Sequence, residues 1–118
     1  MAMTKSTAPV RYRDGTAVVD LPAQIDATAE RALNEAYATA AGHGSKTMLL
    51  NFGGVEFLSS TGIALIVGIL ARARKDGRAI RASGLSDHYR EIFEITRLAD
   101  FMKIYADESA ALKGEGTK

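Results

Sequence analysis

The sequence predicts a single α/β domain, in which a mixed, mostly parallel sheet of about four to five strands packs against about four helices. Short apolar runs alternate along the chain with segments of helical periodicity, and short loops connect them. Strands that alternate with helices over short loops pair mainly in parallel. An Asp-Gly pair between the first two apolar runs adds one hairpin. The length of 118 residues allows one well-packed core rather than two.

Composition restricts the class of protein and of partner. The formal net charge is +1 with both signs mixed throughout, so we expect no binding of nucleic acid. No apolar run approaches the roughly 18 residues of a membrane span, so we expect no direct membrane insertion. The absence of cysteine and of an apolar leader favours a cytoplasmic location.

A metal site is not expected from the sequence. His43 and His88 stand far apart, and neither belongs to a spaced group of ligands. The chain has no cysteine that could add a thiolate ligand. We therefore interpret both histidines as surface or loop residues, and we predict neither a metal nor a cofactor.

The first elements are a hairpin and a helix. The segments Val10 to Arg13 and Thr16 to Leu21 flank Asp14-Gly15, which supplies a tight turn, and they predict two paired strands. Asp26 or Thr28 can then cap a helix that ends at the glycines near His43. Its apolar positions keep helical spacing and are Ala29, Leu33, Ala36, Tyr37 and Ala40.

The middle of the chain holds two strands and the most apolar helix. Residues 46–52 are mostly apolar and bounded by glycines, which predicts a strand in the middle of the sheet, buried on both faces. Residues 55–58 predict a further buried strand. A helix is predicted from about residue 61 to residue 76, before Gly77.

The last third predicts two more strands and two helices. Residues 79–84 form a short strand, and Ser86 can cap a helix that ends near Leu98. Residues 101–105 alternate as a strand does, and residues 108–112 fit a short final helix. The predicted order is therefore ββαβαβαβα in one domain over residues 9–112, with flexible tails at 1–8 and 113–118.

Three adjacent hydroxyl side chains, Ser59, Ser60 and Thr61, stand where the apolar helix is predicted to begin. One such oxygen can cap a helix by accepting from the amides of its first turn, and by spacing alone we favour this structural role. The positive end of the helix dipole would also accommodate a phosphate. Phosphorylation of one hydroxyl is therefore the functional alternative.

The helix after the hydroxyls has no charged or polar side chain from Ile63 to Ala71. Gly68 costs about 1 kcal/mol in a helix interior relative to Ala, so we interpret Gly62 and Gly68 as positions of close packing. Either the rest of the domain covers every side of this run, or one side is left for a partner. We favour the first, because large exposed apolar patches are rare.

A serine hydrolase is a further hypothesis for the same serines. Ser59 or Ser60 would lie between a strand and a helix, as a nucleophile does in Gly-x-Ser-x-Gly enzymes, but the flanking glycines are missing. His88 could act as the base only with a third group to orient it, and the sequence offers none. The glycines also lack the pattern of a phosphate-binding loop.

Two segments resemble the motifs of a known family. Residues 23–27 read Ala-Gln-Ile-Asp-Ala, and residues 59–64 read Ser-Ser-Thr-Gly-Ile-Ala. They resemble the Gly-x-Leu/Ile-Asp-x and Asp-Ser-Ser/Thr-Gly-Leu-Gly motifs of the STAS domain of bacterial anti-sigma factor antagonists. The chain departs from these motifs at Ala23, where the family has Gly, and at Ser59, where it has Asp. Length and order of elements are similar too, so the resemblance covers residues 9–112.

The resemblance implies a regulatory protein rather than an enzyme. The family's phosphoacceptor position falls on Ser60, with Ser59 and Thr61 as neighbouring candidates. Members are phosphorylated there by an anti-sigma factor with serine kinase activity and dephosphorylated by a PP2C-type, metal-dependent phosphatase. The unphosphorylated form binds the anti-sigma factor and thereby frees the sigma factor.

The resemblance also implies a partner-binding surface beside the acceptor. Asp26 falls on the family's acidic position next to it, and the first turns of the following helix form the surface. The expected partner-binding residues are Asp26, Ser59, Ser60, Thr61, Gly62, Ala64, Leu65 and Gly68. Other branches of the family leave an alternative open, a scaffold subunit of a stressosome-like complex or a lipid transporter without a phosphorylation cycle.

Overall fold

The computed structural model describes residues 7–113. The strands in this range are β1 (Val10–Arg13), β2 (Thr16–Asp20), β3 (Gln24–Ile25), β4 (Thr47–Asn51), β5 (Phe57–Leu58), β6 (Ala79–Ser83) and β7 (Lys103–Tyr105). The helices are α1 (Glu30–Gly42), α2 (Ser60–Asp76), α3 (Asp87–Ile95) and α4 (Glu108–Lys113), with 3-10 turns at Ala27–Ala29 and Leu98–Asp100.

Five strands form one sheet in the order β1-β2-β4-β6-β7. β1 pairs with β2 as an antiparallel hairpin, and all other pairs in this sheet are parallel. β4 is the central strand, with Leu49 between Val18 of β2 and Arg81 of β6. The predicted α/β class, the hairpin and the central, doubly buried strand are all confirmed.

The two faces of the sheet carry cores of different size. On one face, side chains such as Val19, Met48 and Leu50 pack in a large core with residues of α1, α2 and α3. On the other face, the short helix α4 covers Val18 and Leu49. This alternation follows from the strand geometry, because successive side chains point to opposite faces.

The first helix packs as the pattern predicts, but the predicted cap lies one turn earlier, on the 3-10 turn, and α1 itself begins after Ala29 without a side-chain cap. Asp26 caps the 3-10 turn before α1 by accepting a hydrogen bond from the backbone N–H of Thr28, at 3.0 Å. The predicted apolar positions are all buried: Ala29, Leu33, Ala36, Tyr37 and Ala40. The helical spacing therefore identified the face that packs on the sheet.

A second, two-stranded ladder joins β3 to β5 in parallel and was not predicted. The expectation of a buried strand over residues 55–58 is wrong in extent, because only Phe57 and Leu58 pair and Phe57 is 48% exposed. β5 lies outside the main sheet, so only Leu58 of this segment is buried. Two-residue strands are too short to produce a detectable alternation.

The segment after α3 also differs from the expectation. α3 ends at Ile95, and the chain turns at Arg97, whose φ is 68°. β7 then begins at Lys103, which leaves Phe101 outside the strand and 53% exposed. An arginine in the left-handed region gives no turn signal in a sequence. The predicted end of this helix near Leu98 is therefore about three residues too late.

The predicted tails lie mostly outside the described residues. Thr7 and Ala8 are described without regular structure, and Lys113 is the last residue of α4. Residues 1–6 and 114–118 lie outside the described range. Among the helices within residues 7–113, none combines the length and the apolar character that a membrane crossing requires.

Candidate functional site at the start of the second helix

Ser59 is the residue that caps α2. Its backbone is extended, and its Oγ accepts a hydrogen bond from the backbone N–H of Gly62 at 3.0 Å. Its carbonyl accepts the N–H of Ile63 at 2.9 Å. The structural role predicted for one of the hydroxyls therefore belongs to Ser59, and its side chain is half-buried in that role.

The start of α2 is pressed against the carbonyl group of Ile25. The backbone N–H of Ser59 donates to this carbonyl at 3.0 Å, and the Ser59 hydroxyl lies 3.4 Å from the same oxygen. A Cβ added to Gly62 would lie far inside van der Waals contact with that oxygen. The prediction that Gly62 is a position of close packing is confirmed, and the neighbour is β3.

Ser60 and Thr61 begin the helix with exposed side chains. Within residues 7–113, the Ser60 hydroxyl takes part in no hydrogen bond, whereas the Ser59 hydroxyl is engaged. The amides of these first two helical residues have no partner inside the helix, which is a general property of helix starts. The site thus combines an exposed hydroxyl with unpaired donors and the positive end of the helix dipole.

Asp26 brings a negative charge beside the hydroxyls. Ile25 pairs with Leu58 in the parallel ladder, so the next residues along the two strands, Asp26 and Ser59, are neighbours. The Asp26 carboxylate accepts from the hydroxyl and the N–H of Thr28, and these hydrogen bonds hold its pKa below the ordinary value of 3.8. Asp26 is therefore ionised near neutral pH.

One side of α2 is exposed along most of its apolar run. Ala64, Val67, Gly68 and Ala71 are exposed, and Val67 keeps 43% of its surface accessible. The opposite side buries Ile66, Ile69 and Leu70 in the core, while Leu65 is half-buried. We call the exposed side, formed by Ala64, Val67, Gly68 and Ala71, the α2 face. The preferred expectation that the domain covers every side of this run is wrong, because the sheet lies against one side only.

Gly68 lies in the middle of the α2 face. A Cβ added to Gly68 would have no heavy atom within 4 Å. The expectation of close packing at Gly68 is therefore wrong within this chain. Relative to alanine, this glycine lowers the stability of the helix by about 1 kcal/mol, and no close contact within the domain compensates for it.

Two further residues, Phe57 and Tyr89, lie next to the site and are not predicted from the sequence. Phe57 lies two residues before Ser59 and is exposed, which adds an aromatic side chain near the hydroxyls. Tyr89 of α3 accepts the backbone N–H of Leu58 at 3.0 Å and so fixes β5 to the rest of the domain. No sequence pattern identifies either residue, because Phe57 and Leu58 are both apolar and the hydrogen bond from Leu58 to Tyr89 joins distant segments.

The histidines do not join the hydroxyls. His43 is exposed and stacks on Tyr12, with ring centroids 4.0 Å apart, and His88 is exposed on α3. Both are surface residues, as predicted. No cluster of three or more metal-ligating side chains occurs within residues 7–113. The predicted site residues that lie together are those at the start of α2 together with Asp26.

Comparisons with known proteins identify the family. The family model of the STAS domain matches residues 7–111. A curated relative, the anti-sigma-B factor antagonist of Staphylococcus aureus, is 33% identical over 61 residues, which are 52% of this chain and 56% of the relative. The match thus spans little more than half of that relative's length. The anti-sigma-B factor antagonist of Bacillus subtilis is 24% identical over 104 residues, 88% of this chain and 94% of the relative.

A solved structure shows the same fold. The Bacillus cell fate determinant SpoIIAA in its phosphorylated form superposes with a TM-score of 0.69 at 21% identity, over 92% of this chain and 100% of that one. At this identity the likeness concerns the fold, and it agrees with the sheet and helices described above. The resemblance predicted from the two motifs is confirmed, and the chain belongs to the STAS domain family.

Proposed function

We propose that this protein is an anti-sigma factor antagonist whose contact with an anti-sigma factor is switched off by phosphorylation of Ser60. One observation carries the proposal. The Ser60 hydroxyl is exposed at the start of α2, directly beside the exposed α2 face, while the neighbouring Ser59 hydroxyl is committed to capping. The names of the S. aureus and B. subtilis relatives support the same function.

Ser60 is a better acceptor than Ser59 for a physical reason. Transfer of a phosphoryl group requires a hydroxyl that can enter the kinase active site. The Ser59 hydroxyl is half-buried and lies 3.4 Å from the Ile25 carbonyl oxygen, so modification of Ser59 would place the phosphate against that oxygen. Thr61 is also exposed, and it remains the second candidate.

The electrostatics of the site suit a switch at the surface. A phosphoserine carries a charge of about −1.5 to −2 near neutral pH. The amides at the start of α2 stabilise such a charge, so the domain itself tolerates the modification. An apolar partner surface docked on the α2 face would instead have to desolvate the charge, and binding would be lost. Ionised Asp26 adds to the negative charge at this point.

The proposed partners and setting follow from the same function. The partner is an anti-sigma factor with serine kinase activity, and a PP2C-type phosphatase restores the unphosphorylated form in the cytoplasm. The chain itself catalyses no reaction in this proposal.

The test is to phosphorylate the chain with purified anti-sigma factor kinases and ATP and to map the phosphate by mass spectrometry. We expect one phosphate on Ser60, which Ser60→Ala abolishes and which Ser59→Ala and Thr61→Val retain. Ser60→Glu should weaken binding of the kinase about tenfold or more, since an unpaired charge in an interface costs several kcal/mol. Phosphate on Ser59, or unchanged binding by Ser60→Glu, would contradict the proposal.

The scaffold alternative predicts a different result. A subunit of a stressosome-like complex or of a transporter would copurify with a large assembly, and Ser60→Ala would leave that assembly intact. A kinase would then add no phosphate to the helix start.

A further inference from the structure

A groove lies at the end of the molecule opposite the hydroxyls. β2, β4, β6 and β7 are parallel, so their amino ends share one edge of the sheet. The groove, of about 500 Å³, runs along this edge between the last turns of α2 and residues 99–103. Ser60 and Arg74 are at opposite ends of α2, which separates them by about 21 Å along the helix axis.

The floor of the groove is apolar. Leu70 of α2, Ile80 of β6 and Met102 line it, and each is buried in the domain. Phe101 stands at the groove with 53% of its surface exposed. An aromatic side chain left this accessible beside an apolar floor favours a ligand with an apolar part.

The rim of the groove is positively charged. Arg74, Arg78 and Lys103 line it. The Arg78 guanidinium donates to the carbonyl oxygen of Ser45, which does not line the groove, whereas the Arg74 guanidinium lies 5.8 Å from the centre of the Phe101 ring. Arg74 and Lys103 form no ion pair with a carboxylate in the described part of the chain.

The acidic residue at the groove does not neutralise this rim. Asp100 lines the groove, but its carboxylate is paired with the Nε of Arg97 at 2.8 Å. Arg74 and Lys103 are therefore the two cations left at the rim, opposite one carboxylate that already has a partner. The rim complements an anion, because surplus positive charge at the mouth of a low-dielectric groove attracts negative charge.

We propose that this groove binds an amphipathic anion, with its aliphatic chain against the exposed Phe101 ring above Leu70, Ile80 and Met102, and its phosphate or carboxylate head between Arg74 and Lys103. An inorganic anion alone would leave the exposed Phe101 ring uncovered, and a neutral apolar molecule would leave Arg74 and Lys103 without a carboxylate partner. The same chemistry occurs in free acyl or alkyl anions and in anionic membrane lipids. The proposal is independent of Ser60, because the two surfaces lie at opposite ends of α2.

The test compares three probes with the full chain, followed by amide chemical shifts in NMR spectra. Dodecyl phosphate, below its micelle concentration, carries both the chain and the charge, dodecyl maltoside carries the chain alone, and inorganic phosphate carries the charge alone. We expect saturable shifts at groove residues with dodecyl phosphate and clearly weaker ones with the other two. Equal shifts with dodecyl maltoside, or no saturable shift with dodecyl phosphate, would overturn the proposal.

Matched variants check the location. Arg74→Glu combined with Lys103→Glu should weaken binding of dodecyl phosphate about tenfold, as expected when two modest ion contacts become repulsive. Lys75→Glu, an exposed change on the same helix turn outside the groove, should change it less than about twofold. Phe101→Ala should weaken binding, and Ile95→Ala, which removes an exposed side chain that does not line the groove, should not. An equal loss in the control variants would place binding elsewhere.

A flotation assay separates the two sources of the ligand. If vesicles that contain phosphatidylglycerol retain the protein and phosphatidylcholine vesicles do not, an anionic membrane lipid is a ligand. Binding of monomeric dodecyl phosphate without vesicle retention would identify a free amphiphile. Retention on vesicles without binding of the monomer would refute the groove as the site.

Discussion

No contact within the described domain requires a glycine at position 68. An added Cβ would meet nothing within 4 Å in this chain. Gly68→Ala should therefore raise the free energy of unfolding by about 1 kcal/mol, through the higher helix propensity of alanine. If a partner docks on the α2 face, the same methyl group should weaken its binding about tenfold. Urea unfolding and binding to the anti-sigma factor measure the two effects.

Gly62, on the same helix, is closely packed, unlike Gly68. Its added Cβ would collide with the backbone oxygen of Ile25, which cannot move without breaking the β3–β5 ladder. Gly62→Ala should lower the free energy of unfolding by about 1–3 kcal/mol, the usual range for overpacking.

For Gly68→Ala, binding of the anti-sigma factor at the wild-type level would show that the partner does not approach Gly68.

Ser59 occupies a position at which the family motif has aspartate. Either side chain has an oxygen that can accept the N–H of Gly62, as the Ser59 Oγ does. Serine and aspartate are about equally good caps. Ser59→Asp should therefore keep the stability within about 0.5 kcal/mol of wild type, while Ser59→Ala should lower it by about 1 kcal/mol. Ser60→Ala is the control, since the Ser60 hydroxyl has no partner within residues 7–113 and its loss should change stability little. Equal effects of the two alanine variants, measured by urea unfolding, would contradict the assignment of the cap.

At the scale of elements, α4 is attached to the rest of the domain by charges. Glu108 accepts from Arg11 at 2.9 Å and from Arg13 at 2.8 Å, and Arg11 also bonds to Asp20 at 2.6 Å. These side chains join α4 to β1 and β2 over the small core that contains Ala111. A six-residue helix has little stability alone, so this network and the small core hold it in place.

The network makes stability depend on pH. Hydrogen bonds from Arg11 hold the pKa of Asp20 below its ordinary 3.8 and that of Glu108 below its ordinary 4.5. The folded protein thus binds these protons more weakly than the unfolded chain. Their contribution to stability is complete above the ordinary values and is lost as the pH falls through and below them.

Glu108→Gln tests this dependence. We expect a lower free energy of unfolding at pH 7 and a shallower decrease between about pH 5 and pH 3 than in wild type. The control is Glu35→Gln, because Glu35 forms only an exposed pair with Arg31 and should contribute almost nothing. A pH profile of Glu108→Gln that parallels wild type would show that α4 is held by contacts other than the ion pairs of Glu108, such as the small core and the hydrogen bond from Arg81 to the Ala111 carbonyl.

The elements also show where sequence reasoning succeeds. The hairpin, the buried central strand and the face of α1 follow from turn chemistry and periodicity, which act locally. The end of α3 depends on the left-handed conformation of Arg97, for which arginine carries no signal. The β3–β5 ladder depends on two residues from each of two distant segments, so only tertiary contact defines it.

At the scale of the whole molecule, the exposed α2 face is the feature that the sequence could not predict. An apolar run with no polar side can be wholly covered or partly free, and the difference depends on how many neighbours surround the helix. Here the sheet and its helices bury Ile66 and Ile69, and nothing in the described chain covers Val67. The motif located Ser60 correctly at the helix start, but only the assembled domain shows that its side chain is accessible while that of Ser59 is engaged.

The proposed phosphorylation switch could act by changing the docking surface or by changing the stability of the fold. A negative charge at the start of α2 gains about 0.3–1 kcal/mol from the helix dipole and loses part of this to the nearby Asp26 carboxylate. Ser60→Glu should therefore leave the free energy of unfolding within about 0.5 kcal/mol of the neutral control Ser60→Gln, with the same dependence on urea. Binding to the anti-sigma factor should nevertheless be lost in Ser60→Glu and retained in Ser60→Gln. If Ser60→Glu instead lowered the free energy of unfolding by more than about 1.5 kcal/mol, or changed the urea dependence, phosphorylation would act by loosening the domain. Because α2 is anchored in the core along its opposite side, we expect the charge to change the docking surface and to leave the helix in place.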